Sequence, residues 1–184
     1  MEDAVNMLTR DKRTIDNAVA ITFDDGYKNS FIDAYPILKK YKVPATLFLT
    51  SGLINENKLA WWDQVELFYG DKSKVESMKN LPNEKRIKML ETMIPQKKDI
   101  PEKYKFLSKN EVQNMSDVFS YGSHTLSHPI LTMTKKSEVK KEIYNSKKKL
   151  ENLLNMKIRS FCYPNGDFND EIKHIVKNAG YDYA

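Results

Sequence analysis

An α/β fold with parallel strands, either an open sheet or a β/α barrel, is what this 184-residue sequence predicts. Two observations carry the expectation. Short apolar, β-favouring runs alternate with stretches of helical periodicity. Polar clusters stand just after the ends of those runs, where sheets and barrels of this class place their sites.

The elements follow in order. Ala18–Phe23 is short, apolar and β-favouring, and reads as a buried strand that Asp24-Asp25-Gly26 ends as a turn. A helix with Phe31, Ala34, Leu38 and Tyr41 on one face comes next, and Pro36 is placed to kink it. Pro44–Thr50 is the second strand, with proline at the tolerated first position. Ser51–Lys109 breaks the rhythm. It is lysine-rich and helical in pattern, with Ile87, Leu90 and Ile94 on one face between Pro82 and Pro95. Ser108 and Glu111 form a capping box that opens a short helix. Val118–Tyr121 is the third strand, and Val139, Ile143, Leu150 and Leu153 mark a long amphipathic helix. Arg159–Tyr163 is the fourth strand. Ile172, Ile175, Val176 and Ala179 line the next helix, which Gly180 caps, and Tyr181–Ala184 starts a fifth strand. The expectation is one domain over 1–184, with an insertion at about 51–109.

Composition narrows the function classes. The chain is 40% hydrophobic and 30% charged, the profile of a globular protein. No apolar run approaches the ~18 residues of a membrane span, and Met1–Arg13 is too polar for a secretory signal. The net charge of +5 is spread out, and Lys147-Lys148-Lys149 sits on an amphipathic helix. That run reads as a solvated face, so no nucleic-acid partner is expected. A single cysteine, Cys162, excludes a disulfide framework and a cysteine-rich zinc site, and reads as a small buried hydrophobe.

Three clusters bear chemistry: Asp24-Asp25, His124 with His128, and Pro164-Asn165-Gly166. His124 and His128 are four residues apart, so a helical turn would aim both rings the same way. Two imidazoles and a carboxylate suit a catalytic Zn²⁺ that keeps one position open. One aspartate of the pair can bind metal while the other stands by as a base; the residues alone do not say which. Backbone N–H groups around Asn165-Gly166 can face a developing oxyanion. Each cluster alone is an ordinary turn or a common spacing. Their order, and their placement after strands, make the case.

Thr22-Phe23-Asp24-Asp25-Gly26-Tyr27, Ser123–Pro129 (Ser-His-Thr-Leu-Ser-His-Pro) and Phe161–Gly166 (Phe-Cys-Tyr-Pro-Asn-Gly) resemble the first three motifs of the polysaccharide deacetylases, the NodB-homology domains of carbohydrate esterase family 4. The resemblance runs from about Ala18 to the end, outside the insertion. It implies a distorted β/α barrel, with Asp24 as general base and Asp25, His124 and His128 as ligands of a divalent metal. Zn²⁺ is the first choice, with Co²⁺ or Ni²⁺ as alternatives. It further implies an oxyanion contact from the Asn165 N–H, and Tyr163 and Pro164 at the substrate. The implied reaction is hydrolysis of N-acetyl groups on an amino-sugar polysaccharide or oligosaccharide, and the implied location is the cell envelope or the exterior.

Two departures qualify it. Cys162 holds the place of an arginine that braces the catalytic aspartate in many members, with Arg159 as a candidate substitute. The histidine that serves the family as general acid lies in later motifs, and the remaining histidine, His174, sits on an amphipathic helix. About five strands are counted where such a barrel needs seven or eight. The expectation is therefore an incomplete barrel whose chain ends early, with weak turnover. A non-catalytic carbohydrate-binding relative and an O-acetyl esterase stay open as alternatives.

Overall fold

The computed structural model describes Val5 and residues 19–93 and 100–184. Ala18, Ile94, Pro95 and, apart from Val5, the Met1–Arg13 segment lie outside the described residues. Three parallel strands form one sheet in the order β1-β2-β3: β1 (Thr22–Phe23), β2 (Ala45–Leu49) and β3 (Phe119–Ser123). The register sets Thr22 beside Thr46 and Leu49 beside Ser123. The fourth and fifth expected strands extend this sheet only as single bridges, Ser123 to Phe161 and Ser160 to Tyr183, both parallel. Successive segments are thus neighbours, as in a barrel, and the sheet of described residues is not closed.

Every residue of β2 is buried, as befits a strand paired on both sides and covered on both faces. β1 pairs on one side only and is shorter than its apolar run predicts; Val19 is 87% exposed. Gly122 of β3 is required by packing, because a Cβ there would stand 2.4 Å from the Phe48 ring.

The first helix departs from the expected single amphipathic run. Ser30–Ala34 is π-helical, and the α-helix α1 begins only at Tyr35, ending at Tyr41. Pro36 has no N–H to donate back into that turn, which explains the break at its N-terminal edge rather than a kink in mid-helix. Leu38 is buried as expected, whereas Tyr41 is exposed.

The insertion forms α2 (Trp61–Tyr69), α3 (Lys72–Lys79) and α4 (Asn83–Thr92). Val65, Met78 and Met93 make a small apolar cluster among them. Gln64 Nε2 donates to the Leu90 and Met93 carbonyls at 2.9 and 2.7 Å, tying α2 to the end of α4. On α4 the expected face is displaced: Ile87 is exposed, and Arg86 is buried over the Trp61 ring, 4.5 Å from its centroid. The chain returns through Phe106, which stacks on Tyr27 at 4.4 Å. The Ser108–Glu111 capping box opens α5 (Lys109–Asn114) as predicted.

Two helices close the main core. α6 (Lys136–Leu154) buries Val139, Ile143 and Leu150, and α7 (Asp170–Asn178) buries Ile172, Ile175 and Val176. Lys147 on α6 is not a solvated lysine: its Nζ donates to the Ile158 and Gly180 carbonyls at 2.5 and 2.6 Å. His174 is exposed on α7.

Candidate metal centre and its cavity

The loop after β1 turns sharply at Asp25, whose φ of 70° is left-handed. Two backbone bonds fix it there: the Asp25 carbonyl accepts from Thr50 N–H (3.1 Å) and the Gly26 carbonyl from Leu107 N–H (2.9 Å). β2 and the returning end of the insertion therefore both hold the first motif.

The loop after β3 carries the histidines, and it is not a helical turn. Thr125 and His128 are both left-handed, with φ of 67° and 57°. Such backbone is costly for non-glycine residues, of the order of 1–3 kcal/mol each, so the surroundings must hold it. His128 N–H donates to Thr125 Oγ1 at 3.0 Å, and the Thr125 carbonyl accepts from Ser51 N–H and from Ser146 Oγ at 3.0 and 2.9 Å. Gly52 N–H donates to the Leu126 carbonyl at 2.7 Å, and a Cβ on Gly52 would stand 2.3 Å from that oxygen, so no other residue fits. Glu142 of α6 accepts from the N–H groups of Leu126 and Ser127 at 2.9 and 2.8 Å.

The expected ligand set is brought together by this backbone. Asp25 Oδ1 lies 3.6 Å from His124 Nε2 and 3.4 Å from His128 Nε2. These separations are too long for hydrogen bonds. They match the edge of a tetrahedron with ligand bonds of about 2.1 Å, which is about 3.4 Å. Burial lowers the pKa of both imidazoles, His128 to about 3 with a further push from His124, so both are neutral. His124 Nδ1 lies 2.8 Å from the Cys162 carbonyl and donates to it, which leaves Nε2 with a lone pair. Burial, then Asp24 and Asp63, raises Asp25 to about 7, and its buried Oδ1 has no hydrogen-bond partner. Two imidazole nitrogens and a carboxylate oxygen converge on one point, and once Asp25 has lost its proton the donor set fits a divalent cation. Asp24, His124 and Cys162 form a second, overlapping cluster. It fits less well, because burial and then Asp24 push the Cys162 thiol up to about 12.

A cavity of about 350 Å³ opens over these groups. Asp24, Asp25, His124, His128 and Asn165 form one side, and the insertion supplies the opposite wall from Trp61, Trp62, Glu66 and the α3 face of Lys72, Val75, Glu76 and Lys79. Asn165 reaches the cavity from a left-handed turn, φ 56°. Tyr163 packs between Phe161 and Phe168, Pro164 is buried, and neither lines the cavity. Cys162 does stand beside the first motif, its Sγ 3.9 Å from Asp24 Oδ2, while Arg159 is engaged with Asp182 at 3.7 Å. The α3 wall escaped sequence reasoning. Its i, i+3, i+4, i+7 spacing was visible, but nothing local says which way that face points.

This combination of fold and site defines a class: a parallel α/β scaffold presenting a two-histidine, one-carboxylate centre at the carboxyl ends of its strands. A family model for polysaccharide deacetylases matches residues 11–184, and the chain belongs to that family. It is 26% identical over 180 residues to the Bacillus subtilis protein YxkH, covering 98% of this chain and 48% of that one. Poly-beta-1,6-N-acetyl-D-glucosamine N-deacetylase of Staphylococcus aureus is 25% identical over 177 residues, 91% of this chain and 47% of the relative. The chain thus spans about half the length of the curated relatives it matches. Among solved structures, the Streptococcus pyogenes deacetylase PplD superposes with a TM-score of 0.67 at 23% identity, over 98% of this chain and 61% of that one. A de-N-acetylase from Aggregatibacter actinomycetemcomitans gives 0.63 at 21%, over 97% and 66%. Both show a shared fold. No helix among the described residues is long and apolar enough to cross a membrane.

Proposed function

We propose that this chain carries the metal-binding and base-bearing part of a hydrolase that removes N-acetyl groups from an amino-sugar polymer or oligomer. Convergence of Asp25, His124 and His128 around one point, with Asp24 on the same cavity, is the observation that carries the reading. Asp25, His124 and His128 are the ligands, and Zn²⁺ suits two imidazoles and a carboxylate, with Co²⁺ and Ni²⁺ as alternatives. When bound, such an ion lowers the pKa of water towards neutrality and polarises a carbonyl oxygen.

The chain's own groups supply the rest. Asp24 is exposed to the cavity and accepts the proton of the attacking water. The Asn165 N–H faces the oxygen on which charge develops. Cleavage of the C–N bond requires a proton on the departing amine, and the carboxyl group of Asp24, once protonated, faces the same space. Trp61, Trp62 and the α3 face offer the sugar an aromatic and hydroxyl-binding wall. The names of the relatives support an amino-sugar substrate.

The test is acetate release from N-acetylated and O-acetylated oligosaccharides by the Zn²⁺- or Co²⁺-loaded chain, beside Asp24→Asn and His128→Ala. Asp24→Asn should keep the metal and lose about 10²–10⁴-fold in rate, whereas His128→Ala should lose the metal. Metal binding that survives loss of His128 would overturn the ligand set.

A further inference from the structure

The two histidines of the centre are held in different ways. His124 has its ring plane set by the Nδ1 bond to the Cys162 carbonyl. His128 Nδ1 is buried and has no hydrogen-bond partner among the described residues. Its backbone is left-handed as well. A ligand ring normally relies on a bond from its far nitrogen for orientation, so His128 needs another means.

The insertion provides one. The Trp62 ring packs on the His128 imidazole with centroids 4.4 Å apart. Trp61 Nε1–H donates to the His128 carbonyl at 3.0 Å. Trp62 is itself fixed: its Nε1–H donates to Tyr27 Oη at 2.7 Å, and Tyr27 in turn donates to the buried Asp63 at 2.5 Å. Tyr27 lies two residues after Asp25, so Trp61-Trp62-Asp63 grips both metal-bearing loops at once.

We infer that Trp62 is a positioning residue of the metal centre, whose ring packing holds the His128 imidazole in its ligating orientation. The inference rests on the ligand set proposed above. It makes the insertion part of the centre as well as a wall of the cavity. A side chain acting on a ligand in this way is worth about 10–100-fold in metal affinity.

The experiment is Co²⁺ titration of the metal-free chain, read by the visible spectrum and the Kd, with urea denaturation of each variant as the stability control. Trp62→Ala should weaken Co²⁺ binding by about 10–100-fold and alter the spectrum. Trp62→Phe, which keeps a ring over His128 but loses the bond to Tyr27, should stay within about threefold of the wild type. Val65→Ala, on the same helix but in the cluster with Met78 and Met93, which packs against Trp61 and not against Trp62, should lower stability and leave the Kd unchanged. Unaltered binding by Trp62→Ala overturns the proposal, as does equal weakening by Val65→Ala or failure of Trp62→Phe to recover affinity. Absence of Co²⁺ binding by the wild type overturns the metal site itself, so the two failures are distinguishable.

Discussion

Glu142 lies on α6, outside every motif of the site, yet its removal should disturb the metal centre. Its Oε2 accepts from the Leu126 and Ser127 N–H groups at 2.9 and 2.8 Å, and its Oε1 from the Ser127 hydroxyl at 2.6 Å. Bonds to a charged acceptor contribute about 1.5–3 kcal/mol each. Ser127 is exposed and regains water when the carboxylate goes, whereas Leu126 is half-buried and regains it poorly. We therefore expect Glu142→Ala to cost about 2–3 kcal/mol. In a chain of this size that is roughly 4–12 °C in Tm. The loop would also lose the contact that opposes relaxation of Thr125 and His128 out of left-handed backbone. Metal affinity should therefore fall about tenfold or more. Urea denaturation in chelator gives the first quantity and Co²⁺ titration the second. A loss below about 0.5 kcal/mol with unchanged Kd would show that the loop supports itself and that Ser146, Ser51 and Gly52 suffice.

Metal binding should weaken about tenfold for each pH unit below about 7 and level off above it, because Asp25 must lose its proton while the two neutral histidines add no competition. A Co²⁺ titration between pH 5.5 and 8 checks this, and a flat profile would contradict it. Cys162, pushed up to about 12 by burial and by Asp24, should react slowly with iodoacetamide at pH 8 in the native protein and quickly in urea. Fast native alkylation would place the thiol outside the environment described.

Much of the site is legible because its residues follow strand ends, and strand ends are local signals. The apolar runs before Asp24, His124 and Pro164 are short and β-favouring, and the fold carries all three clusters to one side of the sheet. The Ser108–Glu111 capping box is likewise local and reads correctly. What the sequence hides is long-range or conformational. The four-residue spacing of His124 and His128 mimics a helical turn, and no glycine marks the left-handed backbone that Thr125 and His128 adopt. Ile87, Leu90 and Ile94 suggest a buried face, but the aromatic ring of Trp61 draws Arg86 inward and leaves Ile87 in solvent. Lys147 looks like one of a solvated triplet until the Ile158 and Gly180 carbonyls arrive from other segments. In each case a partner distant in sequence decides the side chain's place.

The electrostatics of the centre run against the stability of the metal-free chain, and the direction follows from Asp25. Its folded pKa of about 7 lies above the ordinary 3.8, so between those values the folded state holds a proton that the unfolded state has released. Metal-free stability therefore falls as pH rises through this window, and the loss is complete only above about pH 7. Three pK units correspond to about 4 kcal/mol, a large share of the stability of an ordinary domain. Burial is the largest cause of the shift, and the neighbouring carboxylates Asp24 and Asp63 add to it. Its Oδ1 faces two neutral imidazoles, 3.6 Å from His124 Nε2 and 3.4 Å from His128 Nε2. A fold that buries a carboxylate beside another carboxylate, and answers it with lone pairs, is complementary to a cation. Binding one reverses the sign of the Asp25 contribution, so the destabilised metal-free state and the affinity for metal have a single physical origin.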